Sequence, residues 1–140
     1  MDYEQLAETI FEELKSNTQT SLDEMLSDFN KGEIGVLSYL AFDENKVTSG
    51  VLSEKLNVTT PRMASILNSL ENKGYIKRNS DINDKRKALI TITTKGNKFA
   101  QSVKNKLLNK IILVIKQIDY EDVKEYIRIN TMIKNILNKQ

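Results

Sequence analysis

TSGVLSEKLNVTTPRMASILNSLENKGYIKRNSDINDKRKALITITTKG, residues 48–96, decides how this chain is read. Ser49 can cap a short helix that buries Val51, Leu52 and Leu56, and Asn57 with Val58 makes a turn. Thr60 and Pro61 open a second helix, with proline at the first position, where its missing N–H costs nothing. Met63, Ile66, Leu67 and Leu70 then fall on one apolar stripe, and Arg62, Ser65, Asn68, Ser69 and Asn72 lie opposite. Gly74 supplies a left-handed stop. Residues 75–80 and 88–93 alternate, are β-rich, and flank a polar loop, so they read as a hairpin with a charged tip. Helix, turn, helix and basic hairpin in that order predict a winged helix-turn-helix, a shape that places a helix in a DNA groove.

Working outward, Leu6, Ile10 and Leu14, with Phe11 beside them, mark one face of an N-terminal helix, and Glu4, Glu8, Glu12 and Glu13 mark the other. The polar residues 17–21 interrupt it, and Leu22, Met25, Leu26 and Phe29 resume helical spacing. Asn30 reads as an N-cap with Glu33 as its back-bonding partner. The helix EIGVLSYLAF (33–42) follows, ends at Asp43, Glu44 and Asn45, and leads to a short strand at 46–48. Thr93 or Thr94 caps a long helix on which Phe99, Val103, Leu107, Ile111, Val114 (or Ile115) and Ile118 keep their spacing. Asp119 caps a last helix bearing Val123, Tyr126, Ile127, Ile133 and Leu137. The expected fold is mainly α with a small β-hairpin wing, a single unit over 1–140. Within it, 31–98 is the winged helix-turn-helix and 1–30 with 99–140 a helical dimerisation region.

Charge supports this division. Residues 1–45 carry two Lys or Arg against eleven Asp or Glu, a net of −9. Residues 46–98 carry eleven against four, a net of +7, and 99–140 eight against four, a net of +4. A total of +2 therefore hides a basic middle, the electrostatic footprint of a nucleic-acid surface. Cysteine and histidine are absent, which excludes disulfides, thiolate metal sites and the commonest general base. Glu12 with Glu13, and Glu121 with Asp122, are adjacent pairs that diverge around a helix, and no phosphate-binding glycine loop occurs. An enzyme is not expected, nor a cofactor or metal. No apolar run approaches the roughly 20 residues that span a bilayer, and the acidic amphipathic N-terminus is unlike a signal peptide, so a cytoplasmic protein is expected.

The candidate DNA-binding residues follow from position. Arg62 could read a guanine edge or contact phosphate, and Ser65, Asn68 and Ser69 could donate or accept at either place. Ser49, Thr59, Thr60 and Pro61 stand at helix N-termini, where N–H groups favour phosphate, although capping alone would also explain the hydroxyls. Lys85, Arg86 and Lys87 form the basic wing tip, arginine being suited to a narrow minor groove, and Asp84 could orient Arg86 or cap the turn. The alternative is a solvated face, on a winged-helix module that binds protein or senses a ligand without touching DNA. The terminal apolar faces exceed what a small winged helix can cover. A second copy is the simplest cover and an intramolecular bundle the other. Pairing would set two recognition helices roughly 34–36 Å apart.

LSEKLNVTTPRMASILNSLENKGYIKR (52–78) and DINDKRKALITITTKG (81–96) resemble the multiple-antibiotic-resistance regulator (MarR) family of bacterial transcription factors. Leu70, Glu71, Lys73, Gly74, Tyr75 and Ile76 match the family's helix exit, Asp84 and Arg86 its wing signature, and Thr93, Lys95 and Gly96 the end of that signature. The resemblance implies a homodimer paired through its terminal helices on a pseudo-palindromic double-stranded operator, usually as a repressor that a small, often phenolic or anionic ligand releases. Many members carry arginine in mid recognition helix where this chain has Ser65, and Arg62, nearly one turn earlier, is the substitute. Peroxide-sensing relatives depend on a cysteine that this chain lacks. Tyr39 and Phe42 are candidate pocket residues, with core packing as their other role.

Overall fold

The computed structural model describes residues 2–15, 22–80, 82–84 and 87–139. Helix α1 (Tyr3–Lys15) opens on a reciprocal cap: Gln5 N donates to Asp2 Oδ1 at 2.8 Å, and Asp2 N donates to Gln5 Oε1 at 3.1 Å. The polar interruption expected at 17–21 lies outside the described residues. Helix α2 (Leu22–Ser27) tightens into a 3₁₀ turn over Asp28–Asn30. Helix α3 (Gly32–Ser38) runs into a π-helical turn, Tyr39–Asp43, closed where Glu44 N donates to Tyr39 O at 3.0 Å. After it come α4 (Ser49–Leu56), α5 (Thr60–Asn72), the antiparallel strands β1 (Ile76–Ser80) and β2 (Ala88–Ile92), α6 (Thr94–Ile115) and α7 (Tyr120–Asn138).

Several boundaries differ from the sequence reading. Asn30 does not cap α3. Lys31 occupies that position with an extended backbone and no side-chain cap, because the preceding 3₁₀ turn takes up Asn30 and Glu33 reaches Lys73 instead. Thr48, not Ser49, caps α4, its Oγ1 accepting from Val51 N at 3.3 Å; Ser49 is already helical. Thr59 caps α5, so Pro61 is the second helical residue rather than the first. The strand expected at 46–48 reduces to one bridge, Val47 with Ile90, beside Lys46 at φ +66°. Helix α6 stops at Ile115, short of Ile118, and Asp119 precedes α7 without a side-chain capping bond.

The core collects Val36, Leu37 and Leu40 from α3 and its π turn, Leu52 from α4, and the whole predicted stripe Met63, Ile66, Leu67 and Leu70 of α5. Ile76, Ile90 and Ala100 close it from the hairpin and α6. Strand register pairs Ile76 with Ile92 and Arg78 with Ile90. Two glycines fix how the hairpin meets the helices. Gly74, at φ +78°, ends α5 as Tyr75 N donates to Leu70 O at 3.0 Å. A Cβ on Gly96 would stand 2.2 Å from Tyr75 O, so only glycine lets α6 start against the hairpin. Helices α1 and α7 bury no residue.

Candidate nucleic-acid interface

Helix α5 presents its outer face because its inner face is consumed by the core. Thr59 Oγ1 accepts from Arg62 N at 3.3 Å, fixing the first turn. Thr60, Pro61, Arg62 and Ser65 are exposed. Among the described residues, neither the Arg62 guanidinium nor the Ser65 hydroxyl has a partner. A free cation and a small hydroxyl therefore stand one turn apart near a helix N-terminus, which suits close approach to a phosphate or a base edge.

Further along, the same face is partly committed to the protein. Asn68 is exposed but its Oδ1 accepts from Arg78 Nη2. Ser69 is half-buried and lies beside Glu33. Lys73 Nζ donates to Glu33 Oε2 at 2.8 Å, and together Lys73 and then Ser69 hold the Glu33 carboxyl below the usual carboxylate range. The Glu33–Lys73 ion pair thus ties the end of α5 to α3. Ser49 is exposed on the first turn of α4, with the cap itself at Thr48.

On the wing, Lys87 is exposed and Asp84 half-buried; Lys85 and Arg86 lie outside the described residues. The exit motif of the hairpin is a clamp. Thr93 Oγ1 donates to Gly74 O at 2.7 Å and accepts from Gly96 N at 3.1 Å, and Thr93 N donates to Tyr75 O at 3.0 Å. Lys95 Nζ donates to Lys73 O at 2.9 Å and lies 5.2 Å from the Tyr75 ring centroid. The end of α5, the base of the wing and the start of α6 are therefore tied together by side-chain and backbone hydrogen bonds.

Sequence reasoning missed Arg78. It joins β1 to α5 by bonding Asn68 and by placing Nε 3.6 Å from Glu71 Oε2. The signal was available: Arg78 falls two residues after the core residue Ile76, an inward position on an alternating strand, where a cation needs partners.

Residues 33–112 match the family described as winged helix DNA-binding domain. The HTH-type transcriptional regulator SarZ of Staphylococcus saprophyticus is 30% identical over 115 residues, which span 81% of this chain and 75% of that protein. The chain belongs to the MarR family of winged-helix DNA-binding transcriptional regulators. MarR-family proteins are regulators and not enzymes. A MarR family protein from Bacillus stearothermophilus has the same fold, with a TM-score of 0.74 at 18% identity over 99% of both chains. So does Streptococcus pneumoniae FabT, solved in complex with DNA, with a TM-score of 0.64 at 20% identity over 99% of both chains. The mainly helical architecture with a two-stranded wing, expected from residues 48–96, is the MarR architecture. No helix among the described residues is long and apolar enough to cross a membrane.

Proposed function

We propose that two copies of this chain bind a pseudo-palindromic operator in the cytoplasm and repress transcription from it. Arg62 and Ser65 read or anchor the major-groove face, with Asn68 beside them. Thr59, Thr60, Pro61 and Ser49 meet phosphate at helix starts, and Lys87 with Lys85, Arg86 and Asp84 carries the wing contact. The observation that supports this most is an unpaired Arg62 on the open side of a helix whose other side is wholly buried. Residues 31–98 form the DNA-binding part; 1–30 and 99–140 pair the copies. Exposed apolar side chains along α1 and α7, among them Ile10, Phe11, Ile127 and Ile133, support that pairing.

A small-molecule effector has a seat on the same chain. A cleft of about 240 Å³ lies between α3, α4 and α6 and is lined by Phe29, Ser38, Tyr39, Phe42, Leu56 and Lys104. Lys104 Nζ sits 4.4 Å from the Phe42 ring centroid, and among the described residues the buried Ser38 Oγ has no hydrogen-bond partner. A cation, aromatic rings and an unsatisfied hydroxyl suit an aromatic anion.

Selection of bound duplexes from a random pool tests the DNA reading. The expected result is a palindrome with half-sites one helical turn apart, bound more weakly as salt rises. Recovery of no common sequence, with salt-insensitive capture of a protein partner, would replace the operator with a protein ligand.

A further inference from the structure

Asn68 and Arg78 together determine what the recognition helix can say to a base. A guanidinium carries only donors, so the amide atom that meets Arg78 must be the oxygen. The opposite end of the carboxamide, Nδ2, is then turned away from the wing strand. Among the described residues Nδ2 has no partner, and Asn68 is exposed. Arg78 is itself held. Its side chain is 27% exposed, its Nε lies 3.6 Å from Glu71 Oε2, and its strand position is paired with Ile90. Glu71 and Asn68 are one turn apart on α5, so one guanidinium spans both.

The geometry points to Asn68 as a donor-only reader of the major groove, with Arg78 as the positioning residue that keeps it so; this rests on the DNA-binding reading above. An asparagine that selects adenine needs both amide atoms, the oxygen accepting from N6 and the nitrogen donating to N7. Here the oxygen is turned toward Arg78, so that, although its second lone pair is open, the carboxamide does not lay both atoms along one base edge. The remaining NH₂ group matches acceptors, which are O6 and N7 of guanine and O4 of thymine. Adenine offers it N7 alone. Cytosine presents its N4 donor and finds no acceptor. Asn68 therefore favours guanine or thymine and disfavours adenine, the reverse of what its residue type suggests.

The test measures binding of all four single-base variants at each half-site position for wild type, Asn68→Ala and Arg78→Met. Asn68→Ala, on an exposed site, should flatten one position only. At that position wild type should rank guanine or thymine above adenine and cytosine by roughly tenfold. Arg78→Met frees the carboxamide to turn, so adenine should gain about tenfold relative to guanine there and nowhere else. Arg78→Leu, which likewise offers no donor, carries the same expectation if the methionine variant does not fold. The inference is overturned if wild type prefers adenine at the position flattened by Asn68→Ala, or if that variant flattens none. It is equally overturned if the Arg78 variants weaken all sequences evenly, as loss of a purely structural brace would. A selection in which wild type recovers no common sequence removes the operator reading itself; a clear palindrome with unchanged base preferences removes only the role of Arg78.

Discussion

Helices α5 and α7 carry the same kind of apolar stripe and meet different fates. Four residues of α5 are buried, all on the predicted face, whereas α7, of 19 residues, buries none. Ile127, Met132 and Ile133 stand 57%, 48% and 49% exposed, and on α1 Ile10 and Phe11 are each 58% exposed. Periodicity tells that a face must be covered and not what covers it. For α5 the cover is local in sequence, since α3, α4 and the hairpin close around it within a short stretch of chain. For α1 and α7 no described element of the chain buries that face, and the pairing proposed above would cover it with the same apolar face of a second copy.

The contrast breaks most sharply at the outer helices. Ile127→Glu combined with Ile133→Glu places carboxylates on the face assigned to pairing, at a cost of roughly 3–5 kcal/mol for each charge left buried and unpaired. Sedimentation should then report the single chain of 16.0 kDa rather than twice that mass, with the helical signal of the middle retained. A double variant that still sediments as a dimer would place the interface elsewhere. Within that monomeric background, Leu70→Ala probes the inner region without interference from association. Leu70 is fully buried, so urea unfolding should lose about 2–5 kcal/mol. Loss of less than a kilocalorie would mean that the middle, too, leans on a partner.

Much of this was legible in the sequence because it depends on neighbours close along the chain. The α5 stripe, the Gly74 stop and the hairpin each follow from a few consecutive residues, and all are present. The Thr93, Lys95 and Gly96 motif was legible as a motif, but its cause was not. Gly96 is required by a carbonyl 21 positions earlier, that of Tyr75, and such a contact exists only once the hairpin has folded. The capping assignments at Asn30 and Ser49 went astray for a related reason. At α4 two hydroxyls stand in a row and the extended backbone at Thr48 selects it, whereas at α3 the preceding 3₁₀ turn takes up Asn30 and leaves the cap position to Lys31. Arg78 escaped because its partners, Asn68 and Glu71, lie on another element, and one-dimensional spacing does not place a strand beside a helix.

The capping correction gives a smaller test of the same inner region. Thr59→Ala removes the acceptor for Arg62 N and should cost about 1 kcal/mol in chemical denaturation. Ser49→Ala, at the residue first read as a cap, should stay within about 0.5 kcal/mol, because Thr48 holds the cap. Equal losses at the two sites would restore Ser49 as a capping residue.

The smallest effect separates the regions by charge. Glu33 joins α3 to Lys73 at the end of α5, while Glu125 pairs with Arg128 one turn along α7 itself. Both carboxyls are held below their ordinary range, Glu33 chiefly by Lys73 and Glu125 chiefly by Arg128. A lowered folded-state pKa stabilises above the unfolded value and stops doing so as pH falls through the folded one. Glu33→Gln should therefore be less stable than wild type near neutral pH, by no more than about 1 kcal/mol for a pair this open to solvent. That gap should close as unfolding is followed from about pH 6 down to about pH 3, and narrow in high salt at neutral pH. Glu125→Gln should shift unfolding less at every pH, because its partner lies on the same helix and no tertiary contact is lost. A Glu33→Gln gap that persists unchanged at low pH would assign the contact to packing rather than to charge.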